Sequence, residues 1–246
     1  MTEGPPLRAD KKLVELGLCS TRTKAQQLIK NGDVSYNEKV LKKPSELIDS
    51  QLENSLILNT NDSHYVGRGA LKMRGAYEDF NLCFDQKIVA DIGASTGGFT
   101  QFALEHGAQK VYAIDVGRDQ LDPKLLEDKR VVNKEGVNIR YGIDLPELVD
   151  MAVVDLSFIS LRLCLEKVME LLIPSGEVVV LFKPQFELGR EALDSQGVVR
   201  SEELVEKGLK DLQEWCKVIG LHVNKILPCQ IRGKMGNQEY FLYLKK

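Results

Sequence analysis

Apolar positions along the chain fall into two rhythms, divided by one polar stretch. From residue 8 to residue 58 the runs are short and closely punctuated. Arg8 to Leu16 carries helical spacing and stops at Gly17. Thr21 then offers an N-cap, and Ala25, Leu28 and Ile29 share a helical face before Asn31-Gly32 ends the segment. Val34, Tyr36 and Val40 read as two short strands turned at Asn37-Glu38. The polar run Asn59 to Tyr65 reads as a connector, which sets a module at 1–58, a linker at 59–66 and a body at 67–246.

Beyond the linker, compact apolar runs alternate with helical periodicity. Strands are expected at 88–92, 110–115, 130–133, 151–155, 177–182, 222–227 and 239–244. Helices are expected at 70–80, 96–106, 118–127, 160–172 and 201–219. This alternation predicts an α/β fold, a mostly parallel seven-stranded sheet with helices on both faces, beside a small N-terminal α+β module. Only a loop separates the last two strands, which therefore form an antiparallel hairpin.

Composition narrows the class. The longest strong apolar run, Val178 to Phe182, is far short of the ~18 residues a membrane helix needs. Met1 to Pro6 shows no charged start followed by an apolar core, so no signal peptide is expected. Five cysteines without a C-x-x-C pair read as reduced thiols of a cytoplasmic protein. His64, His106 and His222 are scattered, and no metal is expected. The net charge of −3 hides an asymmetry: residues 8 to 43 hold nine Lys or Arg against four Asp or Glu, leaving 24 against 32 elsewhere. A basic module on an acidic body anticipates a polyanionic partner; the blander reading is a solvated helix face.

The densest chemistry lies at Asp91 to Thr100, where an apolar run enters a glycine-rich turn and a helix follows. Such a corner holds nucleotides. The carboxylate at its entrance would repel a pyrophosphate and would welcome the sulfonium and ammonium of S-adenosylmethionine. Ser95 also stands where the second Gly of a dinucleotide motif belongs. Asp115, closing the next run, suits the ribose hydroxyls of either ligand. Ligands of open α/β sheets sit at the carboxyl ends of the strands. Asp155 and Lys183 follow two such ends, Glu239 opens the final antiparallel strand at the same edge, and Lys72 lies in the first turn of the helix that runs back to it. Each has a bland reading alone, as helix cap, strand edge or surface lysine. Four charges from distant segments converging on one rim point to a reaction.

Two resemblances follow from these strings. Thr21 to Ile29, then Gly32-x-Val34-x-Tyr36-Asn37 and Lys42-Lys43-Pro44, resemble the RNA-binding domain named after ribosomal protein S-four; Glu38 replaces the usual Gly of its turn. The order Lys72–Asp155–Lys183–Glu239 resembles the tetrad of 2′-O-ribose methyltransferases. Tyr65 to Lys72, Gly93 to Thr100, Asp155 to Ser160, Lys183 to Glu187 and Gly236 to Tyr240 are similar to the haemolysin-A-type (TlyA) rRNA methyltransferases, except that Gly67 stands in place of a usual Ser. That resemblance implies a class I (Rossmann-like), FtsJ-like methyltransferase fold and methylation of a ribosomal RNA cytidine, in the large subunit, with the small subunit left open as a second target. Lys183 would accept the hydroxyl proton, with Asp155 and Glu239 orienting the lysines.

The implied cofactor set is Asp91, Gly93, Ala94, Ser95, Gly97, Gly98, Phe99, Asp115, Val116, Asn138 and Asp155. The implied RNA contacts are Arg8, Arg22, Lys24, Lys43, Arg68 and Phe158. Phe158 is placed to stack on an extruded base, or to be a core aromatic. Pro184 to Arg200 reads as a substrate lid or an exposed connection. Other chemistries lack their residues: Asp155-Leu156-Ser157-Phe158 is not the Asp/Asn-Pro-Pro-Tyr of amino-group enzymes, and Pro228-Cys229 lies too far away for a pyrimidine-attacking thiol. A non-catalytic assembly factor would have no use for the tetrad. A haemolysin would need an amphipathic or apolar segment that the sequence lacks.

Overall fold

The computed structural model describes residues 6–19, 21–37, 39–48, 56–58, 64–233 and 235–246. Its contacts divide the chain into two units, Met1–His64 and Tyr65–Lys246. Glu38 and residues 59–63 lie outside the described residues, so only Asn37 of the expected turn, at φ 49°, and residues 64–66 of the linker are described.

The first unit runs β1 (Leu7–Arg8), α1 (Ala9–Glu15), α2 (Arg22–Asn31), β2 (Val34–Tyr36), β3 (Lys39–Val40), β4 (Leu47–Ile48) and β5 (Leu56–Leu58). α2 starts where the Thr21 hydroxyl accepts the Lys24 amide at 3.2 Å and ends at Gly32, φ 85°. β1 pairs with β4, and β5 joins β2 and β3 in an antiparallel sheet. β1, β4 and β5 were not expected, because each is only two or three residues long and, unlike β2 and β3, pairs with a strand distant in sequence rather than across a short turn. Ala9, Leu13, Ala25, Ile29, Val34 and Ile48 form the core.

The second unit continues with α3 (Arg68–Phe80), β6 (Ile88–Ile92), α4 (Gly98–Glu105), β7 (Lys110–Asp115), α5 (Pro123–Leu126), β8 (Val131–Glu135), β9 (Val149–Val154), α6 (Leu165–Glu170), β10 (Leu172–Phe182), α7 (Pro184–Glu187), α8 (Glu202–Val218), β11 (His222–Pro228) and β12 (Tyr240–Lys245). The sheet order is β11-β12-β10-β9-β6-β7-β8. β12 is antiparallel to both neighbours, and the pairings from β10 to β8 are parallel. Val89, Val111, Met151, Val153, Val179 and Leu181 point to the face covered by α3 and α4. Their alternates Ala90, Ile92, Tyr112, Ile114, Ala152, Val154, Val178 and Val180 point to the face covered by α6 and α8. Both faces are buried, which is why the central strands read as nearly continuous apolar runs. α8 buries Val205, Leu209, Leu212 and Cys216 along one side; each fully buried Leu contributes about 1.5–3 kcal/mol.

Two expected helices are shorter than their patterns. The one at 118–127 is only α5, because Asp122 caps it, accepting the Lys124 amide at 3.0 Å, and Pro123 fixes its first turn. The one at 160–172 breaks into a 3₁₀ turn, Leu161–Leu163, and α6. β10 begins at Leu172 rather than 177, with a register shift before Glu177, because Pro174 cannot extend a helix.

Candidate active site

The glycine-rich turn is held from three strands. The amides of Gly93 and Ala94 donate to the Ile114 carbonyl at 2.8 and 3.2 Å, and the Asp155 amide donates to the Ile92 carbonyl at 2.9 Å. Gly93 sits at φ 87°, and a Cβ there would lie 2.5 Å from the Asp155 carbonyl oxygen. Behind the turn, the starts of α3 and α4 touch through main chain: a Cβ on Gly98 would meet the Ala70 nitrogen at 2.8 Å. These contacts bring the end of β9 and the first turn of α3 against one loop.

Two cavities adjoin there. The first, ≈ 440 Å³, falls in the usual range of small-molecule sites. Gly93, Ser95, Asp115, Val116, Asn138, Asp155 and Phe158 all line it, and none of its described lining residues is Lys or Arg. Asp115 is oriented by the amides of Ser95 and Gly117, at 2.8 and 2.7 Å. A wall with two carboxylates and no cation suits a cationic ligand and opposes a pyrophosphate, so these residues fit S-adenosylmethionine. The second cavity, ≈ 320 Å³, shares Gly93, Ser95 and Asp155 and adds Arg68, Lys72, Ala94, Gly98 and Phe99. An acidic chamber thus opens beside a basic one, with Asp155 at the junction.

The tetrad is resolved into two ion pairs. Lys72 Nζ donates to Glu239 Oε2 at 2.6 Å, both side chains nearly covered. Lys183 Nζ lies 2.5 Å from Asp155 Oδ1 and donates to the Ser157 hydroxyl at 3.0 Å. Lys183 is 8% exposed and Glu239 2%. Glu239 is on this rim because β12 enters the sheet beside the carboxyl end of β10, Tyr240 pairing with Phe182.

Asp91 departs from its expected place, and so does Gly97: neither lines either of these two cavities. Asp91 is wholly buried, because strand alternation turns it with Val89 toward α4, where Thr100 donates to its Oδ2 at 2.6 Å. Its Oδ1 has no hydrogen-bond partner. Burial raises this carboxyl to about 7, the Thr100 bond opposing and the Asp155 charge adding. A folded-state pKa above the unfolded one means that the folded chain keeps a proton the unfolded chain releases between 3.8 and about 7. Stability is therefore lost as pH rises through that window. Asp91→Asn is expected to be more stable than the parent by on the order of a few kcal/mol at about pH 8, with little difference at about pH 4. Urea unfolding at both pH values checks this, and coincident curves at the higher pH would refute it. Gly97, at φ 93°, is the N-cap of α4, and a Cβ there would strike Leu125.

Among the RNA candidates, Arg68 lines the basic cavity and donates to the Arg232 carbonyl at 2.9 Å. Phe158 is 89% exposed, which overturns the core reading, and its ring lies 4.9 Å from that of Phe186. Lys43 is exposed and Lys24 half-buried. Arg8 and Arg22 are not unpaired cations: both bind the buried Asp10, at 3.0 Å each, and Gln26 adds a third donor at 2.7 Å. The Arg8 hydrogen bond leads in holding the Asp10 carboxyl well below the usual range. Pro184 to Arg200 is pinned near its end, where Asn237, 1% exposed, accepts the Val199 amide at 2.9 Å and donates to the Gly197 carbonyl at 3.0 Å. Sequence reasoning missed Ser157 and Glu187, whose carboxylate accepts from the Ser160 hydroxyl and the Leu161 amide, both at 2.7 Å. Both residues stood in the quoted strings, but nothing in their spacing revealed these partners.

Residues 65–246 match the FtsJ-like methyltransferase family, and residues 7–53 match the S4 domain. YqxC of Bacillus subtilis (strain 168), named as a candidate rRNA methyltransferase, is 42% identical over 243 residues, covering 96% of this chain and 85% of its own. The 16S/23S rRNA (cytidine-2′-O)-methyltransferase TlyA of Mycobacterium tuberculosis (strain ATCC 25618 / H37Rv) is 36% identical over 242 residues, covering 97% and 89%. A solved structure from Streptococcus thermophilus, labelled a hemolysin, superposes with a TM-score of 0.77 at 39% identity, covering 98% of this chain and 89% of that one.

Proposed function

The chain belongs to the FtsJ-like methyltransferase family, and from that premise we propose that it methylates the ribose 2′-hydroxyl of a cytidine in ribosomal RNA, using S-adenosylmethionine. The observation that carries this reading is the pair of buried ion pairs, Lys183–Asp155 and Lys72–Glu239, beside a cation-free acidic cavity. Bound S-adenosylmethionine supplies an electrophilic methyl group. Asp115, Asn138 and the main chain at Gly93 would hold it. Lys183 Nζ takes the proton of the 2′-hydroxyl, held in place by Asp155. Lys72, fixed by Glu239, faces the basic cavity and orients the acceptor ribose. Phe158 offers an exposed ring to a base splayed out of its stack. A ribosomal substrate implies work in the cytoplasm. Among the described residues no helix is long and apolar enough to cross a membrane.

The test is direct. Ribosomal subunits from cells lacking the protein are incubated with it and labelled S-adenosylmethionine, and the modified nucleotide is mapped. Label on a cytidine ribose is expected; label on a base, or none, would overturn the reading. The S4 domain supports docking on the phosphate backbone. Lys43→Glu should accordingly weaken RNA binding and flatten its dependence on log salt by roughly 0.7–0.9 per lost phosphate contact. An unchanged slope would remove Lys43 from the docking surface.

A further inference from the structure

A lysine that receives a proton does so through one lone pair, and the direction of that pair depends on where its two N–H bonds are held. Around Lys183 the structure provides an ion-pair partner, Asp155 Oδ1 at 2.5 Å, and a hydrogen-bond acceptor, Ser157 Oγ at 3.0 Å. With one N–H held on Ser157, two tetrahedral positions on Nζ remain open to the lone pair. The Asp155 carboxylate beside it disfavours a lone pair at the nearer position, so one direction is left. We propose that Ser157 is the positioning residue that aims Lys183 at the ribose hydroxyl, a role that rests on the reading of Lys183 given above.

Several independent features hold Ser157 for this. The loop that bears it is anchored at its start by the Asp155 amide on the Ile92 carbonyl, 2.9 Å. At its far end Glu187 grips the Ser160 hydroxyl and the Leu161 amide. Glu187 closes α7, the helix that Lys183 opens, so the lysine and its hydroxyl partner are tied to one another at both ends. Between them Phe158 sits at φ 63°, a conformation costing a non-glycine residue roughly 1–2 kcal/mol. Its ring packs on Phe186, whose own ring lies 5.9 Å from Lys183 Nζ. Strain of this kind persists only where surrounding contacts impose it, and it is found at functional turns. The Ser157 side of the loop also lines the acidic cavity, so the hydroxyl stands between the cofactor chamber and the base. In the step itself the proton leaves the 2′-oxygen for Lys183 Nζ, the freed electron pair on that oxygen forms the bond to the methyl, and the sulfonium sulfur keeps the electrons of the broken bond. The ammonium then returns its proton to water.

Ser157→Ala and Ser157→Thr separate this role from a packing role, because the residue is exposed and either change leaves the core intact. Single-turnover methyl transfer to ribosomal subunits from cells lacking the protein is measured for both, alongside Lys183→Ala, with S-adenosylmethionine affinity by calorimetry. Ser157→Ala is expected to slow transfer by about 10- to 100-fold, the scale of a misaligned reacting group, with affinity within about twofold of the parent. Ser157→Thr, which keeps the hydroxyl, is expected to restore the rate to within about threefold. An alanine variant at parental rate, equal loss in both variants, or a rate loss wholly explained by weaker cofactor binding would each overturn the proposal. Parental turnover by Lys183→Ala would instead sink the assignment of the base, and this role with it.

Discussion

Lys183→Ala is expected to lower methyl transfer by about 10²- to 10⁴-fold, the contribution of a positioned general base. Cofactor affinity should stay within about twofold, since Lys183 lines neither cavity. Single-turnover assays with saturating RNA separate the two quantities. Lys183→Arg should fail as fully as alanine: a guanidinium keeps its charge and does not accept the hydroxyl proton. Rescue by arginine would recast Lys183 as an electrostatic contact instead of a proton acceptor.

Gly93→Ala is expected to act at the other half of the site. Its φ of 87° disfavours any side chain, and the new Cβ would lie 2.5 Å from a main-chain oxygen that has no rotamer to move. Strain of about 1–2 kcal/mol and overpacking of about 1–3 kcal/mol lower the stability of the fold unless the turn shifts, and a shifted turn should bind the cofactor less tightly. Relief of the clash displaces the Asp155 main chain, and with it the partner of Lys183, so the transfer rate should fall even at saturating cofactor. Calorimetry and circular dichroism check the affinity and the fold. Parental affinity in a folded Gly93→Ala would show that the turn yields without harm to the site.

The body of the fold was readable because its physics is local and repetitive. Strands buried on both faces leave apolar runs, and the helices between them leave a helical period. The order of the four charged residues then followed from topology, since carboxyl ends of parallel strands share an edge. What escaped was chemistry set by side-chain direction. Asp91 precedes the turn in sequence, yet the strand's alternation aims it at α4 and away from the cavity. Ser157 looked like one letter of a motif; its meaning depends on a lysine 26 positions later. Arg8 and Arg22 counted as two separate charges, and both hydrogen-bond one buried carboxylate, Asp10 of α1. Net charge along a segment does not say which cations are already partnered.

The main-chain contact between the starts of α3 and α4 has a consequence for how such an enzyme can change over generations. Where two side chains meet, a larger one on the left is forgiven by a smaller one on the right. Gly98 meets the Ala70 nitrogen and the Gly69 Cα, and neither can be trimmed. No second substitution repairs the first, so this joint, which sets Lys72 against the glycine-rich turn, is closed to gradual revision. New acceptor preferences have to arise on side chains that hang clear of it, such as the exposed ring of Phe158. Methyl donor and catalytic lysine descend together; the choice of RNA is free to wander.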